Sequence, residues 1–429
     1  MDLKSQAQQI RDFIKSYTKM WSEEIMNEYP QSILNYPSEW IELLTALSPD
    51  ELFAVDSKII VDKIKGSDFA QFMQKAKELS SLPEILDTTD IQLEDWAYNG
   101  VKKKKKHEIQ KIASILKKIK TDTQFSHVID IGGGVGHLSR ILSHYHSIPT
   151  YCIDRNADFQ KIGRERLLKY RKMKDSCDVS FVNMNFGDEK KTQADKSAET
   201  LKSIFTPEAF TLGLHTCGSL ANILIQKSLE NKTAGLLSFG CCYHGLNPNK
   251  DFPLSSYYKD SMYPRFTLYG LTLATRSHSA MSPADYKTKE QVKKYRYALH
   301  LFLMKYFKER DFSSVGECNI KMYWGPFAKY IRSKLLELSI DHDFSDEFFN
   351  LFYENQELQK ELRAMWLCNI IRWQLGRVLE VYLLLDRAIY LGEKGYRVKI
   401  EQYFRETISP RNIGILAQKN IQTKQVSLP

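Results

Sequence analysis

Long hydrophobic runs are missing from this sequence. It contains no stretch of about 18 uncharged apolar residues, the length that a membrane helix needs, and no apolar core of a signal peptide near residue 1. The nearest candidate, residues 373–391, is interrupted by four charged side chains: Arg377, Glu380, Asp386 and Arg387. We therefore expect an intracellular protein without leader or membrane span, located in the cytoplasm or also in the nucleus.

Cysteine and net charge are also low. The 429 residues include only seven cysteines, an odd number that favours a reducing compartment over a disulfide framework. The 61 basic and 52 acidic side chains leave a formal charge of +9, which permits an anionic partner such as RNA without requiring one. Hydrophobic residues make up 43% of the chain, which is typical of globular domains.

Four of the 20 glycines cluster in one stretch, directly after the short apolar run Val128–Ile131. The apolar run predicts a strand and the glycines predict a tight loop. Apolar residues at helical spacing between Leu138 and Tyr145 predict the helix that follows. A second strand, Tyr151–Ile153, ends at Asp154. This order is the first half of a nucleotide-binding βαβ unit.

The glycine loop lacks the third glycine of a dinucleotide site. That position would be 137 or 139, where the chain has His137 and Ser139. Residues 130–136 instead read D-x-G-x-G-x-G. A carboxylate repels a pyrophosphate but suits the cationic S-adenosylmethionine, and the acidic end of the second strand can accept the ribose hydroxyls. The predicted cofactor is therefore S-adenosyl-L-methionine. Its predicted contacts are Asp130, Gly132, Gly134, Gly136 and Asp154.

Strand and helix signals alternate from residue 109 to residue 244 and predict an α/β fold with a doubly wound class I methyltransferase (Rossmann-like) sheet. The third to fifth strands are predicted at Val179–Asn183, Phe210–Leu214 and Gly235–Phe239. Two late β-like runs, Tyr396–Tyr403 and Asn412–Ala417, would complete the sheet with an antiparallel last strand. The predicted ranges are a helical N-terminal domain at 1–100, the core at 101–245, a helical insertion between strands five and six at 246–395, and the last two strands with the tail at 396–429.

Five consecutive lysines, Lys102–Lys106, begin the helix that precedes the first strand. Such a run can be a nuclear signal or a nucleic-acid patch, although a solvated helix start is the commoner meaning. A helix that enters just ahead of the glycine loop can, however, direct its first turn at the cofactor site.

Unusual side chains follow two neighbouring predicted strands. His215 and Cys217 come after the fourth strand, and Cys241, Cys242 and His244 come after the fifth. Ligands of open α/β sheets bind at the carboxyl ends of the strands, so five such residues favour a site over buried thiols and structural histidines. We interpret them as catalytic residues of a methyl-acceptor pocket, with one of the two histidines as general base or substrate orienter.

Zinc is the alternative occupant of this group. The donors suffice, but their spacing is not that of a standard finger, and adjacent cysteines chelate one ion poorly. We therefore assign no metal ligand from the sequence.

Short segments along nearly the whole chain carry a resemblance to a known family. They read KKKHEI, DIGGGVGHLSR, GLHTCGSL, SFGCCYHGL, FPLS, LLLDRAIYL and SPRN. With them the chain resembles the methyltransferase-like protein 25 family, in particular the branch called ribosomal RNA adenine dimethylase domain-containing protein. The resemblance implies an S-adenosylmethionine-dependent methyltransferase. It does not imply adenine dimethylation, because adenine dimethylases carry an N-L/I-P-Y/F motif where this chain reads LHTCG.

A narrower likeness concerns the two segments with cysteine and histidine. They are similar to the His-x-Cys-Gly and Cys-Cys-His segments of the tRNA 2′-O-methyltransferase Trm13 family, although this chain has SLANI where that family has an Ala-Thr-Asp run. This likeness implies an RNA acceptor.

We accordingly expect a methyltransferase that acts on RNA or, second, on protein, without a membrane partner. A catalytically inactive scaffold that binds the cofactor, RNA or protein is the alternative. A nicotinamide-dependent oxidoreductase would need glycine or alanine at position 137 or 139. The sequence leaves the oligomeric state open.

Overall fold

A computed structural model describes residues 2–85, 93–171, 178–187, 194–261, 263–276, 282–308, 315–316 and 318–420. The strands in these ranges are β1 His127–Ile131, β2 Thr150–Asp154, β3 Val179–Asn183, β4 Ala209–Cys217, β5 Gly235–Cys241, β6 Tyr396–Gln402 and β7 Ile413–Lys419. The α-helices are α1 Leu3–Ser16, α2 Thr18–Ser22, α3 Ser38–Thr45, α4 Pro49–Asp56, α5 Asp68–Leu79, α6 Lys103–Thr123, α7 His137–His146, α8 Ala157–Arg171, α9 Ala194–Ile204, α10 Leu220–Glu230, α11 Ser256–Lys259, α12 Leu268–Ala274, α13 Pro283–Tyr306, α14 Phe327–Glu337, α15 Asp346–Glu354, α16 Gln356–Trp373 and α17 Gly376–Glu393.

The strands form one sheet in the order β3-β2-β1-β4-β5-β7-β6. Strands β1 to β5 pair in parallel, whereas β7 pairs antiparallel with both β5 and β6. This arrangement confirms the predicted class I methyltransferase fold, with its late antiparallel strand. The strand order reverses between β1 and β4, and such a reversal opens a ligand crevice at the carboxyl ends of the strands.

Side chains of β4 alternate between two layers of helices. Phe210, Leu212 and Leu214 belong to the apolar core that includes the buried residues of α6 and α7. Thr211 faces the opposite side, where its hydroxyl lies 2.6 Å from the hydroxyl of Ser228 on α10. Full burial of one large apolar side chain contributes roughly 1.5–3 kcal/mol, so both faces of the sheet need a helical cover.

Strands β4 and β5 run further than the sequence predicted. The register shifts between Leu214 and Thr216, after which Cys217 pairs with Cys241. The prediction that both cysteines follow the strands is therefore wrong in detail: each is the last residue of its strand. A β-bulge at His215 is the cause, because it restores strand pairing where the sequence pattern indicated a loop.

The chain divides into two compact units. Unit 1 comprises Met1–Phe13, Leu79–Ala280 and Leu379–Pro429 and contains the sheet. Unit 2 comprises Ile14–Glu78 and Met281–Val378, and the elements described in it are helical. Unit 2 thus combines segments from two of the predicted ranges, 1–100 and 246–395.

Contacts distant in sequence hold unit 2 together. In one, Arg372 Nη1 lies 3.5 Å from Glu24 Oε2, and both side chains are largely buried. Helix α16 also packs against α3 and α13. Local periodicity predicts such helices but does not show which of them pair.

Residues 373–391, the nearest candidate for a membrane span in the sequence, lie mostly in helix α17. Two of its charged residues have partners inside unit 1: the Asp386 carboxylate accepts hydrogen bonds from the backbone of Leu254 and Ser255, and Glu380 accepts one from Tyr243. Across the described part of the chain, no helix combines the length and the apolar content that crossing a membrane would require.

Removal of the two late strands should unfold the sheet. A chain that ends at residue 395 loses β6 and β7 with the buried Ile400, Ile413 and Ile415, each contributing roughly 1.5–3 kcal/mol, and exposes the edge of β5. We expect no cooperative thermal transition for it by circular dichroism. A chain that ends at residue 420 keeps both strands and should melt like the parent. Equal melting of the 395-residue chain would contradict the role of β7 in the sheet.

Candidate active site

The glycine loop adopts a conformation that only small residues tolerate. Gly132, Gly134 and Gly136 all have positive φ angles, between 59° and 73°. A Cβ atom at Gly136 would also lie 2.7 Å from the Phe181 ring. The backbone therefore turns sharply between β1 and α7, at the carboxyl end of β1 where the sheet reverses its order.

Asp154, at the end of β2, fixes the conformation of this loop by hydrogen bonding. Its Oδ2 accepts a hydrogen bond of 2.9 Å from the Gly134 backbone N–H, and its Oδ1 accepts one of 2.8 Å from Asn156. The buried Gln160 side chain donates to the Gly134 carbonyl oxygen at 2.9 Å. Each carboxylate oxygen retains a second lone pair, so Asp154 can still accept hydroxyl groups of a ligand.

Asp130 lies beneath the loop rather than on its surface. Its side chain is 2% exposed, and Oδ2 accepts a hydrogen bond of 2.7 Å from Ser139. Burial raises the pKa of Asp130, while the Ser139 hydrogen bond and the Lys105 charge act against that rise. Ser139 stands where a dinucleotide loop would have glycine, and its hydroxyl here stabilises the buried carboxylate.

The lysine run divides into two kinds of residue. Lys102–Lys104 are exposed, as a solvated helix start predicts. Lys105 is mostly shielded, and burial lowers its pKa although Glu108, Asp130 and Cys241 favour its charged form. The first turn of α6 thus contributes one shielded ammonium group whose charge is favoured by Glu108 and by Asp130 beneath the glycine loop.

Glu108 and His215 form a hydrogen-bonded pair that the sequence analysis missed. His215 Nε2 lies 2.9 Å from Glu108 Oε1, which also accepts a 2.6 Å hydrogen bond from Ser409. Burial alone would raise the pKa of Glu108, but His215, Ser409 and Lys105 hold it below its usual value. Because an ionised carboxylate only accepts, Nε2 carries a proton. In neutral His215, Nδ1 is then the acceptor.

Three of the five predicted catalytic residues come together. The Sγ atoms of Cys217 and Cys241 are 3.1 Å apart, and the Sγ atoms of Cys217, Cys241 and Cys242 all lie within 4.8 Å of one another. Burial raises the pKa of both Cys217 and Cys241. His215 points instead to Glu108, and the exposed His244 donates its backbone N–H to Thr275.

Sequence reasoning missed Glu108, Ser139, Gln160 and Ser409, and it considered Lys105 only as one of the five lysines whose helix can direct its first turn at the cofactor site. A more specific signal existed for Lys105 and Glu108, which stand three residues apart in KKKHEI and hence on one face of the helix before β1. The other three have common polar side chains, and nothing local distinguishes them from surface residues.

Comparison with known proteins gives concordant results. Residues 104–249 match a family model described as a methyltransferase domain. The chain is 25% identical over 235 residues to "Probable methyltransferase-like protein 25" of Mus musculus, and 25% identical over 237 residues to the protein of the same name of Homo sapiens. The alignments cover 49% and 50% of this chain but only 38% of each relative. They confirm the predicted resemblance to this family; the Trm13 likeness stays a prediction.

Glu108→Gln should weaken the fold in a pH-dependent way. The pKa of Glu108 is lowered in the folded state, so its charge stabilises the fold above the unfolded pKa of about 4.3 and ceases to do so as pH falls through the folded value. We expect a loss of about 1.5–3 kcal/mol at pH near 7, which shrinks only as the pH falls below about 4, in denaturant unfolding. Glu165→Gln, an exposed control on α8, should have little effect. A pH-independent loss would contradict the role of the charge.

Proposed function

Because the chain carries a methyltransferase domain and is related to the methyltransferase-like protein 25 proteins, we propose that it transfers a methyl group from S-adenosylmethionine to an acceptor. The acceptor's lone pair forms a bond to the methyl carbon, and the carbon–sulfur electron pair stays on sulfur. The products are the methylated acceptor, S-adenosylhomocysteine and one proton.

One observation carries the choice of cofactor: the Asp154 carboxylate, at the end of β2, is held by Gly134 of the loop that follows β1, the strand at which the sheet order reverses. There it can accept both ribose hydroxyls of an adenosine group. Asp130 and Ser139 support the same choice, because they fill the space under the loop with a carboxylate and its donor. That charge would repel a pyrophosphate.

Lys105 has the chemistry to hold the other end of the cofactor. The methionine part of S-adenosylmethionine ends in a carboxylate, its only anionic group. Lys105 is a shielded ammonium whose charged form is favoured by the carboxylates of Glu108 and Asp130. We assign it to this carboxylate, since a charge-assisted hydrogen bond in a shielded place is a strong one.

We assign the acceptor's proton to His215 rather than to His244. Glu108 orients the His215 ring through Nε2 and so makes Nδ1 the acceptor. His244 is exposed, and the hydrogen bond described for it comes from its backbone. Methyl transfer needs little more than alignment of donor and acceptor with transfer of one proton.

RNA is the acceptor that we favour, in the cytoplasm or the nucleus. Exposed Lys102–Lys104 lie in the same helical turn as Lys105, and the positive charge of Arg411 acts on Cys217. Cations beside the reacting groups suit a phosphate backbone. The sequence likeness to a tRNA methyltransferase family is consistent with this acceptor.

Asp154→Ala should weaken binding of S-adenosylhomocysteine. Loss of hydrogen bonds to a charged group, worth about 1.5–3 kcal/mol, corresponds to a dissociation constant at least about tenfold higher by calorimetry. The control is Asp122→Ala, an exposed carboxylate in the last turn of α6, which should bind like the parent. Unchanged affinity of folded Asp154→Ala, or displacement of S-adenosylhomocysteine by NAD, would refute the cofactor assignment.

Tritiated S-adenosylmethionine should label RNA in an extract of cells that lack this protein. One half of the reaction is treated with RNase and the other with protease, and we expect label to be lost with RNase alone. His215→Ala should reduce labelling on the order of 10²–10⁴-fold, with cofactor binding retained. Label lost only with protease would select a protein acceptor. Absence of label despite normal cofactor binding would favour an inactive scaffold.

A further inference from the structure

The ends of β4 and β5 bring three thiols to one point, and the proposed methyl transfer assigns no role to them. We propose that Cys217, Cys241 and Cys242 bind one Zn²⁺ ion and leave its fourth coordination position open. The proposal concerns a metal site and does not depend on methyl transfer.

Two backbone irregularities make this convergence possible. His215, with φ of 62°, forms the bulge that pairs Cys217 with Cys241. Without the bulge, Cys217 would lie opposite Cys242. Neighbouring residues of a regular strand point to opposite faces, but Cys242 has φ of 50° and ψ of 51° directly after β5. That left-handed turn brings its Sγ to the side of Cys241 and overcomes the objection to adjacent cysteines.

A left-handed conformation is costly for a residue with a Cβ atom, and such residues concentrate at functional sites. Two such residues belong to this site: His215 lies two residues before Cys217, and Cys242 carries one of the three sulfurs. The turns that carry them are packed tightly: a Cβ atom at Gly218 would lie 2.7 Å from the Gly245 carbonyl oxygen. The backbone next to the three cysteines is therefore closely packed.

The distances fit a single ion. A tetrahedral zinc with Zn–S bonds of about 2.3 Å separates its sulfurs by about 3.8 Å. The three Sγ atoms lie within 4.8 Å of one another, and the Cys217–Cys241 pair is 3.1 Å apart. Shifts of less than about 1 Å would place all three at bonding distance from one ion. Thiolate ligands in such a geometry are typical of zinc.

The surrounding charge also fits. Three thiolates and Zn²⁺ carry a net charge of −1, and three cationic side chains interact electrostatically with these cysteines. Lys105 and the buried Arg387 interact with Cys241, and Arg411 interacts with Cys217. These charges would stabilise the anionic complex in a partly shielded place.

Zinc binds cysteine as the thiolate, so binding releases protons and the affinity should fall as the pH is lowered. A site with three protein ligands keeps one position for water or for an atom of a bound molecule.

Metal analysis of protein purified in reductant without chelator tests the proposal. We expect about one zinc per chain by mass spectrometry, and a large loss for each of Cys217→Ser, Cys241→Ser and Cys242→Ser. The matched control is Cys318→Ser, which removes a cysteine of unit 2 and should keep the metal. Zinc absent even after reconstitution, zinc retained in all three variants, or copper or iron in its place would each refute the site.

A second measurement uses the unaltered chain and so does not depend on folded variants. The metal-free protein is alkylated with iodoacetamide, with and without Zn²⁺, and each cysteine is quantified by peptide mass spectrometry. Zinc should slow modification of Cys217, Cys241 and Cys242 at least about tenfold and leave Cys318 unchanged, because the sulfur lone pair that would attack iodoacetamide is then donated to the metal. The proposal would be overturned if the three cysteines reacted at the same rates with and without Zn²⁺, or if a Cys217–Cys241 disulfide persisted in reductant. Binding of S-adenosylhomocysteine is measured separately by calorimetry. A failure of the zinc site can therefore be distinguished from a failure of the proposed cofactor binding.

Discussion

One buried carboxylate oxygen joins the parts of the site. Glu108 Oε1, on the first helix of the methyltransferase core, accepts hydrogen bonds from His215 at the end of β4 and from Ser409 between β6 and β7. A buried charge costs much free energy unless it is paired and hydrogen-bonded. The Glu108 side chain is only 1% exposed, so its partners are required, and three distant segments are held at one edge of the sheet.

The general architecture was predictable, because glycines, apolar alternation and helical periodicity are local signals. Val179–Asn183 was predicted with the bounds that β3 has, and the glycine loop and Asp154 lie where a βαβ unit requires them. The ends of β4 and β5 were not predictable to the same degree. A bulge arises from pairing between strands, and no pattern in LHTCG predicts the positive φ of His215.

Other parts depend on contacts far apart in the chain. Glu108 meets Ser409 across nearly three quarters of the sequence, and the match to the methyltransferase-domain model ends at residue 249, before the two strands that complete the sheet. Unit 2 is likewise made of two segments separated by the core. Periodicity identifies the helices of such segments, whereas the choice of partner follows from complementary shapes and charges that only the folded chain displays.

The position of β7 between β5 and β6 has a consequence for biosynthesis. While the chain is being translated, β5 is complete long before residues 413–419 leave the ribosome, and until then its hydrogen-bonding edge has no partner. Parallel strands β1 to β5 can associate early, but the sheet closes only by a late, long-range pairing, and such pairings form slowly. The nascent protein therefore passes through a stage in which the edge of β5 is unpaired, and an unpaired strand edge makes a folding intermediate prone to aggregation, which chaperones counter.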